Sequence, residues 1–206
     1  MSDYHFILDF ETLGPNIFKA PIINCSYYVF DWTRFTSDNP YTFKELIVDI
    51  KFNKLNVKNQ VKDGCAFTNA DVQWWEDQGE YARKQLTPLA NDISVEQFYN
   101  NVKSYIGKTK ISRWWSRSNC FDPILLQRIA EQVSTNEDLN KMLPFWNLRD
   151  VRTFIDTRFD FKLKYNGFCP IEDEELWKKY FIKHNSVHDV AADVLRMQRI
   201  ERLINL

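Results

Sequence analysis

The chain has 206 residues, 44% hydrophobic and 27% charged, enough for one core of ordinary globular composition, which excludes disordered, collagenous and fibrous classes. Lys and Arg number 27 against 28 Asp and Glu, a net charge of −1, so no global positive field draws it to nucleic acid or lipid and any polyanion must be held locally. No apolar run approaches the ~20 residues of a membrane span and the N-terminus is acidic where a signal peptide is basic, so the expectation is a single domain over residues 1–206 of a soluble, cytoplasmic protein.

Residues 4–10 have an apolar centre without Gly or Pro and meet turn chemistry at Gly14-Pro15, which predicts a buried strand with a carboxylate at its end. Residues 21–32 and 45–50 are rich in branched and aromatic side chains and read as its antiparallel neighbours. Apolar residues at helical spacing, among them Val72, Trp75, Tyr81 and Leu86, predict a helix over 69–86 capped by Asn69. A second helix over 95–106 ends at Gly107, and a strand follows at 110–115. Asp122-Pro123 then opens a helix to Val133, with the proline in the first turn, where its missing N–H costs nothing. Further helices are expected from residue 150, over 172–182 and over 186–204. Strands first and strand–helix alternation afterwards give an α/β fold with a mixed sheet, whose functional groups belong at strand ends and in the loops beyond. Cys25, Cys65, Cys120 and Cys169 show neither zinc nor disulfide spacing and read as reduced, mostly buried thiols.

Asp9 and Glu11 flank Phe10, and the two-residue period of a strand puts both carboxylates on one face. Two acids there repel each other. A divalent cation relieves that cost, and oxygen ligands suit Mg2+ and Mn2+; a solvated strand end paired with lysines is the competing reading. Asp122 stands where the Trp114-Trp115 strand passes into a helix, either as a functional carboxylate or only as that helix's N-cap. Of the three histidines, His5 lies inside the buried strand. His184 and His188 are each followed five residues later by an aspartate, Asp189 and Asp193. An imidazole beside a carboxylate cluster titrates near neutrality and can accept a proton from water.

In order along the chain, Asp9-Phe10-Glu11-Thr12-Leu13-Gly14, the stretch from Trp115 through Phe121-Asp122 to Leu125, and a His-x4-Asp resemble the three motifs of the DEDDh family of 3′-to-5′ exonucleases. Residues 72–75 and 149–153 resemble a bacteriophage branch of that family. The resemblance implies a ribonuclease H-like mixed five-stranded sheet with helices on both faces. It also implies that Asp9, Glu11, Asp122 and Asp189 (or Asp193) gather two Mg2+ or Mn2+ ions, with His184 (or His188) as general base. Members of the family place a small and then a larger aliphatic residue second and third after the histidine, which Ser186 and Val187 match better than Val190 and Ala191. Val190, Val194 and Met197 continue an apolar face after Asp189, whereas Gln198 and Glu201 interrupt it after Asp193. The His184–Asp189 register is favoured, but both aspartates lie on the same side of the helix one turn apart, so periodicity leaves Asp193 open as the ligand.

The implied substrate is the 3′ end of a nucleic acid, preferably single-stranded, with DNA ahead of RNA through the bacteriophage branch, and the implied location for a phage-encoded chain is the host cytoplasm. An exoribonuclease of the oligoribonuclease or RNase T type, and a non-catalytic nucleic-acid-binding module on the same fold, are the alternatives. Arg113, Arg117, Arg149 and Arg152 are candidate phosphate contacts, and Phe10 or Leu13 a candidate wedge against the terminal base. Trp74, Trp75, Trp114 and Trp115 read as packing residues.

Overall fold

The structure, a computed structural model, describes residues 2–134, 136–158 and 179–204. Among the described residues the strands are β1 (Tyr4–Thr12), β2 (Ile22–Asp31), β3 (Lys51–Lys54), β4 (Arg113–Ser116) and β5 (Leu148–Asp150). They form one sheet in the order β3-β2-β1-β4-β5. β1 is central: it runs antiparallel to β2 and parallel to β4, while β3 is antiparallel to β2 and β5 parallel to β4. Helices set out in full by the described residues are α1 (Phe43–Asp49), α2 (Val57–Lys62), α3 (Asn69–Asp77), α4 (Glu80–Leu86), α5 (Val95–Ile106), α6 (Asp122–Val133), α7 (Asn136–Met142), α8 (Val151–Arg158) and α9 (Ser186–Ile204).

The pleat of β1 divides its side chains between two cores. Phe6, Leu8 and Phe10 point into one, with Phe98 and Val102 of α5 and Leu126 and Ile129 of α6. Ile7 points into the other, with Trp115, Val190, Val194 and Met197, so α9 covers the face carrying the odd-numbered residues of β1. Helices thus lie on both faces of a mixed five-stranded sheet, as the motifs implied. His5 is fully buried on the α9 face, where its Nδ1 accepts from Trp115 Nε1 at 3.0 Å, so it is a packing residue. Among the described residues no helix is long and apolar enough to cross a membrane.

Several elements differ from expectation. The predicted strand at 45–50 is helix α1, because Thr42 caps it by accepting from the Glu45 N–H at 3.2 Å and Arg34 holds Glu45 through two hydrogen bonds. Of its apolar residues Leu46 is buried while Val48 is 75% exposed, a one-sided burial that suits a helix. The third strand is the short, polar β3 immediately after it. The helix predicted over 69–86 breaks into α3 and α4 at Gly79, whose φ of 108° lies in the left-handed region. Its cap is Thr68 rather than Asn69, in a reciprocal capping box with Asp71. α2, α7 and β5 are short and were not foreseen. Residues 172–178 of the helix expected over 172–182 lie outside the described residues, as does Cys169. Cys25, Cys65 and Cys120 are free thiols, and of these only Cys25 is buried; Cys120 is exposed.

Candidate active site

The pairing of β1 with β4 ends at Ile7 and Trp115, so the last residues of β1 project past the shorter parallel strand. In that gap Asp122 Oδ1 accepts from the Phe10 N–H at 3.0 Å. Asp122 is the first residue of α6, whose N-cap position belongs to Phe121, so its side chain is not the helix cap that sequence alone allowed. It is buried and turned toward β1. Asp9 and Glu11 stand on the α9 face of β1, and Asp189 in the first turn of α9 comes down upon them. One carboxylate oxygen from each of Asp9, Glu11 and Asp189 lies within 4.8 Å of the other two.

Their electrostatics are those of acids crowded out of water. Burial, and after it the charges of Asp122, Glu11 and Asp189, hold the Asp9 carboxyl well above its ordinary range. Glu11 is pushed up to about 8, by burial and then by Asp189 and Asp122. Asp122 and Asp189 rise to about 7, in both cases mainly through burial. Four carboxylates that resist ionising together, all offering oxygen, are the donor set a hard divalent cation prefers. The residues present therefore fit Mg2+ or Mn2+.

The two histidine–aspartate registers part company here. Asp193 does not join the cluster: it is buried and receives Arg117 Nε at 3.0 and 2.9 Å on its two oxygens, Arg117 Nη2, and Arg196 Nη1 at 3.0 Å. His188 is buried between Phe43 and Phe181, and its Nδ1 accepts from the Ile182 N–H at 2.9 Å. His184 is half-buried before α9 with a left-handed φ of 58°, its Nε2 3.1 Å from Gln78 Oε1 and its ring 5.0 Å from that of Trp74. Burial, then the charge of Lys183, lowers its pKa, so the neutral imidazole persists below the usual histidine range.

Beside Glu11 a cleft of about 460 Å3 is lined by Phe10, Gly14, Pro15, Trp74 and Phe121, among others. Trp74 is 48% exposed on its wall, which corrects the packing assignment; Trp75 is buried and donates its indole N–H to Thr12 O at 2.9 Å. Adjacent residues on a helix point about 100° apart, so two neighbouring tryptophans do not share one buried face, and that spacing was the available signal. Leu13 is buried with Ile23, Trp75 and Ala82 and does not wedge into the cleft, and Phe10 packs edge-on against Phe98. Trp114 and Trp115 are core residues as expected. Of the arginines, Arg117 is committed to Asp193, whereas Arg113, Arg149 and Arg152 are exposed. Gly14 has a φ of 117°, and a Cβ there would meet the Asp71 carboxylate at about 3.0 Å. Gly14→Ala is expected to cost about 1–3 kcal/mol in a denaturant titration, from backbone strain alone.

Comparison with known proteins makes the chain a 3′–5′ exonuclease, a hydrolase of nucleic acid ends. A family model described as the 3′-5′ exoribonuclease Rv2179c-like domain matches residues 4–198, and the chain belongs to that family. It is 35% identical over 214 residues to the protein named exodeoxyribonuclease of Enterobacteria phage T4, a match covering 95% of this chain and 88% of the relative. Among solved structures, the zinc-bound complex of E. coli exonuclease I with single-stranded DNA superposes with a TM-score of 0.55 at 17% identity, covering all of this chain. The chain spans about two fifths of that protein's length (41%). The Mg2+- and Mn2+-bound form of S. pombe Pop2p superposes with a TM-score of 0.54 at 13% identity, covering 98% of this chain and 82% of that one. These structural likenesses carry the fold, and the acidic cluster is this chain's own.

Proposed function

We propose that the chain is a divalent-metal-dependent exonuclease that hydrolyses the terminal phosphodiester bond of single-stranded DNA from the 3′ end, releasing nucleoside 5′-monophosphates. The observation that carries this reading is the convergence of Asp9, Glu11 and Asp189 within 4.8 Å, with Asp122 bound to the intervening Phe10 N–H. Asp9, Glu11, Asp122 and Asp189 would hold two Mg2+ or Mn2+ ions, which when bound supply Lewis-acid polarisation of water and neutralise charge on phosphate oxygens. Four ionised carboxylates carry −4 and by themselves repel a phosphodiester, so substrate affinity depends on their being neutralised.

His184 takes the proton of the attacking water. With Nε2–H donating to Gln78 Oε1, the lone pair sits on Nδ1, and the lowered pKa keeps it available. The cleft beside Glu11 receives the terminal nucleotide, with Trp74 offering a stacking face to its base. Exposed Arg149 and Arg152 meet the backbone, whereas Arg113 sits opposite His5, at the end of β1 away from the cluster.

The identity to the phage T4 exodeoxyribonuclease favours DNA, while the description of the family model favours an exoribonuclease as the second reading. Incubation of the purified chain with 5′-labelled DNA and RNA of one sequence, in Mg2+, Mn2+ or EDTA, separates them. Expected are single-nucleotide shortening of the DNA in either metal and none in EDTA. A strong preference for RNA would overturn the sugar assignment, and binding without nucleotide release in both metals would establish a non-catalytic module.

A further inference from the structure

The second aspartate of the doubled histidine–aspartate pattern, Asp193, takes no part in the carboxylate cluster, yet it is buried with Arg196 and is met by Arg117, whose side chain is 14% exposed. Arg117 lies in the loop between β4 and α6, five residues before Asp122. Arg196 lies on α9 itself, so one side chain of α9 is gripped from its own helix and from a loop 76 residues away. A buried charged group of this kind is costly, and apolar residues of similar volume would pack the same space at less expense.

Asp193 follows Asp189 by one helical turn on the same face, so whatever anchors Asp193 sets the height and rotation of α9 where Asp189 leaves it. A second anchor lies on the other side: Ser186 Oγ donates to Asn24 Oδ1 at 2.7 Å and lies 2.7 Å from Ser26 Oγ, both on β2. Asp189 is thus held between a pin to the sheet and a pin to the loop that delivers Asp122.

We propose that Arg117 and Asp193, with Arg196, are positioning residues: a bidentate clamp that joins the Asp122 loop to the Asp189 turn and sets the spacing of the metal-binding carboxylates. This rests on the proposed function above. A planar guanidinium gripping both oxygens of a carboxylate fixes orientation as well as distance, which a lysine does not.

The sign of one measurement separates this role from a purely electrostatic one. Removing a cation beside a metal site favours a second cation, so an electrostatic role for Arg117 predicts tighter Mn2+ binding in Arg117→Met and unchanged binding in Arg117→Lys. A clamp predicts weaker binding in both, by about 10–100-fold as for other groups that orient metal ligands. The experiment is calorimetric titration of the metal-free full chain with Mn2+, for Arg117→Lys, Arg117→Met and Asp193→Asn, with circular dichroism to verify folding. Arg117→Lys, which keeps the charge, separates the two roles should Arg117→Met fail to fold, because Asp193→Asn removes a negative charge and weakens Mn2+ binding on either account. Equal losses in Arg117→Met, Asp193→Asn and their double variant are expected, with kcat falling more than KM for an oligonucleotide changes. Tighter or unaltered Mn2+ binding in the folded variants overturns the clamp. Absence of Mn2+ binding in the unaltered chain would instead overturn the metal reading on which it rests.

Discussion

Replacing Asp9 by alanine is expected to abolish turnover and, in the absence of metal at pH 8, to raise the melting temperature. The rate falls by at least ~10²–10³-fold, as when one group that stabilises transition-state charge is lost. The gain in stability follows from proton bookkeeping. In the folded, metal-free chain Glu11 titrates near 8 and Asp122 and Asp189 near 7, against 4.5, 3.8 and 3.8 for unburied groups. Between about pH 4 and 8 the folded state therefore holds protons that the unfolded chain has released, and stability declines as pH rises through this window. Asp9, held well above its ordinary range by burial and by the charges of Asp122, Glu11 and Asp189, carries part of that cost itself, so the variant without it gains most at the top of the window. For a chain of this length each kcal/mol recovered is worth about 2–4 °C.

The same argument makes Mn2+ or Mg2+ stabilise the unaltered chain more at pH 8 than at pH 5, with protons released on binding. Scanning calorimetry of the unaltered and Asp9→Ala chains at both pH values, with EDTA and with Mn2+, tests the whole set. An unaltered chain in EDTA that melts higher at pH 8 than at pH 5 would refute the crowded-carboxylate account. Asp122→Ala also abolishes turnover but recovers less stability, because it leaves the Phe10 N–H without its acceptor.

His184→Ala and His188→Ala are expected to fail in different ways. Losing a general base lowers kcat by ~10²–10⁴-fold. His184 is half-buried and gives up one hydrogen bond to Gln78, so its melting temperature should barely move. His188 is packed between Phe43 and Phe181 and accepts from the Ile182 N–H. Its loss leaves a part-buried donor without its partner and a gap beside α9, at a cost of about 1–3 kcal/mol. It leaves the proton transfer itself in place. Parallel measurement of kcat and of urea midpoints for the two variants decides between the registers. A large rate loss confined to His188→Ala would move the general base to His188, and equal mild losses would remove both from the chemistry.

How much of this was legible in the sequence follows from the range over which each signal acts. The placement of Asp9 and Glu11 on one face needed only the period of a strand, and the closing helix only the spacing of Val190, Val194 and Met197, because both patterns repeat within one element. The ordered motifs were enough for the mixed sheet and the 3′–5′ exonuclease class. Local pattern misled at residues 45–50, where branched side chains suggested a strand but the Thr42 cap and the Arg34–Glu45 pair hold a helix. It also missed the exposure of Trp74, because a tryptophan's hydrophobicity does not say which way its own helix face turns.

Between Asp189 and Asp193 the sequence favoured the first without deciding, for a deeper reason. Both occupy the same side of α9, and what differs is the partner that the fold brings to each: Asp9 and Glu11 to one, Arg117 and Arg196 to the other. The chain's own pattern determined which elements form and which faces they bury. Only the tertiary structure decided which carboxylate remains a bare oxygen donor and which is neutralised, because that depends on charges contributed from stretches remote in sequence.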